Sequence, residues 1–231
     1  MHWIPRLGWI PLVPILLLAA DPPWKGKPIP QWDEQDSKQV LSDSPWVRYT
    51  TPEWVRDLSP DERRNGGDME AGIGKGIGLA GIGVFGARRQ AEAIARAHEK
   101  PQQAVVMVRW ESALPIRAAE RITGETSIPA LDADHYAIAV YNIPTPKKWN
   151  LANELKGVAF IRRVRWKDLK PSRVVILRQD EEKATIVYLF PRSVEISKRD
   201  GWLVFAAQIG RLFVSQNFYA EDMQIRGELE L

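Results

Sequence analysis

The chain has 231 residues, of which 45% are hydrophobic and 26% are charged, and its 32 basic and 29 acidic side chains leave a net charge of +3. Because these charges are nearly balanced and spread along the chain, we do not expect a nucleic-acid partner. The absence of cysteine excludes disulfides, a thiolate nucleophile, cysteine-bound zinc and iron–sulfur clusters. No other cofactor is implied, and the length suits one domain with appendages.

Residues 1–20 have the layout of a secretory signal peptide. Arg6 lies in a short front section, an apolar stretch runs from Leu7 to Leu18, and two alanines precede a polar, proline-rich sequence. The apolar stretch is shorter than the about 20 residues that a membrane-spanning helix needs, and two prolines break it. We therefore predict cleavage after Ala20 and export to the periplasm or the exterior. An uncleaved membrane anchor is the alternative.

Residues 21–65 form a segment rich in tryptophan and proline, which we call the arm. Its many prolines rule out one continuous helix or central strand. Short helices are still expected, because Asp33 can cap a helix over Glu34–Leu41 and Ser59 can cap one that starts at Pro60. The indoles are expected to pack either on the protein's own domain, which we favour, or on a partner. The binding candidates in the arm are Trp24, Trp32, Trp46 and Trp54.

Nine of the sixteen glycines fall within residues 66–86. The pattern G-x-G-x-x-G occurs twice here, but no buried strand precedes it, so a dinucleotide site is not predicted. We interpret the segment as a flexible, glycine-rich linker. The alternative is a membrane-contacting segment that uses Ile77, Ile82 and Phe85, although each glycine disfavours a helix by about 1 kcal/mol.

Residues 87–231 predict an α+β domain. From Val158 onwards, short strands are joined by connections of two to four residues, which are too short for parallel crossovers. We therefore predict a mainly antiparallel twisted sheet with one or two packed helices. The expected helices are Ala87–Lys100, Ser112–Thr123 and Leu151–Lys156. The expected strands are Gln103–Glu111, Tyr136–Asn142, Val158–Arg165, Arg173–Gln179, Ala184–Phe190, Val194–Ser197, Trp202–Gln208, Arg211–Asn217 and Met223–Leu231.

Four residues are candidates for catalysis, and each also has a structural interpretation. Glu111 ends the most apolar strand beside a tryptophan, where burial would raise the pKa of a carboxyl group. Asp132, Asp134 and His135 bring two carboxylates and an imidazole together, but such residues also form turns that lead into strands. Because nothing nearby completes a coordination shell, no metal site is predicted.

The densest basic stretch runs from Arg162 to Arg173 and contains Trp166. Trp166 could stack on a ligand between positive charges, which makes it a fifth binding candidate. The plainer interpretation is a solvated strand edge, whose charges discourage pairing with other chains.

Four stretches of the mature chain carry a resemblance. They are Trp32-Asp-Glu-Gln-Asp-Ser-Lys-Gln-Val-Leu-Ser-Asp-Ser-Pro-Trp46, Val108-Arg-Trp-Glu-Ser-Ala113, Leu189-Phe-Pro-Arg192 and Gly227-Glu-Leu-Glu-Leu231. In these stretches the chain resembles a group of uncharacterised exported proteins of soil bacteria. The resemblance implies export and an arm followed by a domain, and it implies no activity or catalytic residue.

The sequence therefore favours an exported domain with a non-enzymatic binding or structural role in the cell envelope. Its partner would be a protein or another envelope component, held by the arm or by the sheet. One alternative is an envelope hydrolase that uses paired carboxylates, with Glu111 or the group around His135. The other is the membrane-contacting protein that uses residues 66–86. The sequence predicts neither the ligand nor the oligomeric state.

Overall fold

A computed structural model describes residues 21–66, 105–125, 128, 131–144, 152–164, 166–180 and 182–231. Within these residues the predicted α+β class is confirmed, with five α-helices and twelve strands that all pair antiparallel. The predicted signal peptide, almost all of the glycine-rich segment and the helix expected at Ala87–Lys100 lie outside the described residues.

Three helix ends lie where local sequence signals place them. Asp33 and Ser59 both form capping boxes with the acidic residue three positions later, as their spacing predicts. The helix over 114–123 ends at Gly124, whose φ of 72° suits a residue without a side chain. The helices are α1 (Pro23–Gly26), α2 (Glu34–Ser42), α3 (Pro60–Arg64), α4 (Leu114–Thr123) and α5 (Ala152–Gly157), with 3₁₀ turns at Ile29–Gln31 and Lys198–Asp200.

The strands form two five-stranded sheets and one small hairpin. They are β1 (Val47–Thr50), β2 (Glu53–Trp54), β3 (Val106–Trp110), β4 (His135–Pro144), β5 (Ala159–Arg163), β6 (Trp166–Leu169), β7 (Arg173–Arg178), β8 (Lys183–Pro191), β9 (Trp202–Ile209), β10 (Leu212–Tyr219), β11 (Gln224–Ile225) and β12 (Glu228–Leu229). Sheet A has the order β1-β3-β4-β8-β7 and sheet B the order β2-β10-β9-β5-β6, while β11 and β12 pair with each other.

The main core lies between the two sheets. Tyr188 of β8 meets Phe205 of β9 edge-on, with ring centroids 5.4 Å apart. Trp110 of β3 meets Phe218 of β10 in the same way at 5.5 Å. One contiguous buried cluster contains alternate residues of both sheets, so sheets A and B pack face to face.

The arm is part of this core. Trp46 is fully buried, and its indole Nε1 donates a 2.6 Å hydrogen bond to the main-chain oxygen of Glu230. The next four residues form β1, the edge strand of sheet A, and β2 adds to the edge of sheet B. α3 and α5 approach so closely that a Cβ on Gly157 would lie 2.1 Å from the main-chain oxygen of Arg63. The arm therefore packs on the protein's own domain.

Two predicted strands are wrong. Residues 194–197 form no strand, because their backbone bonds to side chains instead: Ile196 N donates to Tyr136 Oη at 3.0 Å. Residues 223–231 form no single strand either, because positive φ angles at Arg226 (52°) and Gly227 (82°) turn the chain into the β11–β12 hairpin. The sequence also did not predict β1, β2, β6 or the division of the strands into two sheets.

Candidate functional site

A cluster of buried charges lies on the face of sheet A that is turned away from sheet B. Val108 and Trp110 of β3 point into the core between the sheets, so Arg109 points to the opposite face. Arg109 is only 4% exposed, and two nearby carboxylates, Glu111 and Glu120, are 0% and 2% exposed. Buried charges are stable only when they are paired and hydrogen-bonded.

Arg109 is the centre of the cluster. Its Nε donates to Glu111 Oε1 at 2.6 Å, and its Nη2 donates to Glu120 Oε1 at 2.8 Å. Tyr141 of β4 accepts a 2.7 Å hydrogen bond from Nη2 and donates one of 2.5 Å to Glu111 Oε1. Arg117 of α4 completes the charge balance through a 2.7 Å bond to Glu120. Two cations therefore face two carboxylates.

The surroundings fix the protonation states of Arg109 and Tyr141. Burial by itself lowers the pKa of Arg109, but the neighbouring Glu111, Tyr141 and Glu120 outweigh it, and the net effect raises the pKa. Burial raises the pKa of Tyr141, and the charge of Glu111 raises it further. At any physiological pH Arg109 is therefore a cation and Tyr141 a neutral hydroxyl that can donate to Glu111.

A cleft of about 410 Å³ opens beside this cluster, within the size range of small-ligand sites. Arg109 and Tyr141 line it, whereas Glu111 and Glu120 are not among its lining residues. No described residue accepts a hydrogen bond from Nη1 of Arg109, the one guanidinium nitrogen without a carboxylate or hydroxyl partner. We call this the Arg109 cleft, and its lining residues are Lys38, Leu41, Ser42, Met107, Arg109, Glu125, Tyr141 and Gln179.

The catalytic candidates are placed differently from one another. Glu111 does not end its strand at the surface but lies fully buried against Arg109. His135 Nδ1 lies 2.5 Å from Asp132 Oδ1, and this hydrogen bond lowers the pKa of Asp132. Asp134 sits in the turn that leads into β4, which is the structural interpretation of this group. Among the described residues, no group of three or more His, Asp or Glu side chains could hold a metal ion.

Most tryptophan candidates serve the protein's own packing. Trp32 and Trp46 are buried, and Trp24 meets the Trp46 ring edge-on at 6.4 Å. Trp54 and Trp166 remain 43% and 64% exposed. Arginine guanidinium groups lie over both of these exposed rings, at 5.3 Å and 5.7 Å from the centroids.

Several cations of the basic stretch around Trp166 have partners inside the protein. Arg162 forms a two-bond pair with Asp168, and Arg163 lies 3.7 Å from the buried Asp200. Lys170 lies over the ring of Phe160. β6, within this stretch, is an edge strand of sheet B, in agreement with the plainer interpretation of the stretch.

The sequence interpretation identified Glu111 but missed Arg109, Glu120 and Tyr141. One local signal was available: Arg109 interrupts the most apolar of the expected strands, and a buried arginine requires a carboxylate. No local signal distinguishes Glu120 or Tyr141 as its partners, because they lie 11 and 32 residues away along the chain.

Comparison with known proteins found no matching family model, no matching curated protein and no matching solved structure. The resemblance to exported proteins of soil bacteria therefore stays a prediction. In the part of the chain that the structure describes, no helix is long and apolar enough to cross a membrane.

Proposed function

We propose that the protein is an exported, non-enzymatic binding domain of the cell envelope, and that its ligand binds in the Arg109 cleft. One observation carries the proposal: a guanidinium group that is 96% buried lines the cleft, and its Nη1 has no acceptor among the described residues. Nη1 is not one of the fully buried polar atoms that lack a partner, so it is open to the cleft, where the acceptor of a ligand can replace water on this charged donor.

The same geometry favours binding over hydrolysis. A glycoside hydrolase needs two carboxyl groups that reach opposite sides of a substrate bond. Here Glu111 and Glu120 both bind Arg109, and neither lines the cleft. Their role is to hold the guanidinium in place, which is a positioning role. The membrane-contacting alternative depends on residues 67–86, which lie outside the described residues.

Export is supported by the layout of residues 1–20. We expect the mature protein to begin at Asp21 when the full gene is expressed and secreted. N-terminal sequencing of protein recovered from the periplasm or the medium measures this directly. A chain that still begins at Met1 and stays in the membrane fraction would show that residues 1–20 are an uncleaved membrane anchor.

Binding in the cleft is tested by blocking it. Ser42 lines the cleft at the end of α2 and is exposed, so Ser42→Trp should block the cleft while every member of the Arg109 cluster stays in the chain. Ser193→Trp is the matched control, since Ser193 is exposed and is not a lining residue.

The assay is retention of envelope extract on the immobilised exported protein. We expect the wild type and Ser193→Trp to retain the same component in equal amounts. Ser42→Trp should retain at least about tenfold less of it. All three proteins should show the same thermal transition. Equal retention by Ser42→Trp, or no retained component at all, would refute a binding role for the cleft.

A further inference from the structure

We infer that the Arg109 cleft binds a short uncharged peptide segment through its main-chain carbonyl groups. This inference rests on the proposed function and adds the chemical class of the ligand. Three features of the cleft support it: its lack of net positive charge, the chemistry of its polar groups and the absence of an open aromatic face among its described lining residues.

The described side chains at the cleft leave no net positive charge for a ligand. Arg109 is paired with two carboxylates, and Lys38 donates a 2.6 Å hydrogen bond to Glu34. Among the described residues, two positive and four negative side chains line the cleft or pair with its lining: Lys38 and Arg109 against Glu34, Glu111, Glu120 and Glu125, while Arg117 pairs with Glu120. An anion would lose hydration and find no net positive charge, whereas a neutral acceptor loses much less.

The polar groups suit an amide. Nη1 of Arg109 can donate to a carbonyl oxygen, and a main-chain carbonyl is a strong neutral acceptor. The side-chain amide of Gln179, which is exposed, offers both a donor and an acceptor. Leu41 and Met107 provide apolar contacts for small side chains between these groups.

The lining disfavours ligands that bind by ring stacking. A flat ring, such as a sugar or a base, gains most from an open aromatic face. Among the described lining residues, Tyr141 is the only aromatic one, and the guanidinium carbon of Arg109 covers its ring at 4.9 Å from the centroid. A peptide needs no such face, so it is the ligand that we propose.

Nuclear magnetic resonance of the exported protein labelled with ¹⁵N-arginine tests the inference. The probe is the tripeptide acetyl-Ala-Ala-Ala-N-methylamide, which carries no charge. We expect the guanidinium signals of Arg109 to shift in a saturable way. Gln179→Ala should weaken binding about three- to tenfold, the loss expected for one hydrogen bond. Asn217→Ala, which removes an exposed amide on β10 of sheet B, should leave binding unchanged.

Two further probes distinguish the chemical class of the ligand. One is acetyl-Ala-Ala-Ala with a free carboxylate, and the other is N,N′-diacetylchitobiose, an uncharged sugar with amide groups. Tighter binding of either probe at Arg109, or no shift with the capped tripeptide, overturns the inference. In those cases loss of envelope binding by Ser42→Trp would still support the proposed function, whereas an unaffected Ser42→Trp would refute both.

Discussion

The clearest consequence of the buried cluster is the effect of removing one of its charges. Glu111→Gln keeps the size and shape of the side chain but removes one negative charge. Arg109 then keeps only Glu120, which it must share with Arg117. The cluster changes from balanced to an excess of one buried positive charge.

The cost of this change follows from burial. Glu111 is 0% exposed and Arg109 4%, so water cannot replace the lost partner. Breaking a buried ion pair from one side destabilises a protein by about 3–5 kcal/mol. For a chain of this size, each kcal/mol shifts the melting temperature by about 2–4 °C, so we expect a fall of roughly 6–20 °C.

The counterpart is a variant that removes the cluster as a whole. Arg109→Met, Glu111→Leu, Glu120→Leu and Tyr141→Phe together leave no buried charge that lacks a partner, apart from the part-exposed Arg117. Replacing a buried ion-pair network by apolar side chains is often neutral or stabilising by about 1–4 kcal/mol. We therefore expect this combination to be more stable than Glu111→Gln alone.

Urea unfolding followed by circular dichroism measures both free energies. Glu182→Gln is the control, because Glu182 is exposed and its loss should change stability by no more than about 0.5 kcal/mol. A loss below about 1 kcal/mol for Glu111→Gln would refute the reasoning, since it would mean that Arg109 does not depend on this charge.

Three further predictions test the arm. Trp46→Phe removes the hydrogen bond to Glu230 and should cost about 1–3 kcal/mol in urea unfolding, whereas Trp54→Phe on the surface should change little; equal effects would contradict burial of the arm. Gly157→Ala should cost about 1–3 kcal/mol because its Cβ would overlap the main chain of α3, while Gly26→Ala, with its nearest atom at 3.7 Å, should not; a silent Gly157→Ala would refute this close approach. Hydrogen bonds from Arg56 and from the Ser59 backbone lower the pKa of Glu62 to about 2. Since the folded-state pKa is the lower one, ionised Glu62 stabilises the fold above its ordinary pKa of 4.5, and this contribution is lost as the pH falls towards 2. The urea midpoints of the wild type and Glu62→Gln should therefore converge between pH 5 and pH 2, and a constant difference would show that another group is responsible.

Local features of this protein were predictable because each depends on a few neighbouring residues. The capping boxes at Asp33 and Ser59 involve residues three positions apart. The turn at Gly124 needs only a residue that tolerates positive φ. Short connections made the sheet antiparallel, since no crossover fits into them. The prediction failed at Arg226, where a residue with a side chain adopts positive φ and ends the alternation.

The buried charge cluster around Arg109 and the burial of Trp46 depend on the tertiary structure. Trp46 finds its hydrogen-bond acceptor 184 residues away, and Arg109 meets Tyr141 across 32 residues. No periodicity or local propensity encodes such pairs. They form because the division into two sheets leaves one face of β3 for apolar packing and the other for a charge that must be paired. The sequence alone determined the antiparallel α+β class and marked Glu111 as unusual, whereas only the pairing of β4 with β3 and the position of α4 brought Tyr141 and Glu120 to Arg109.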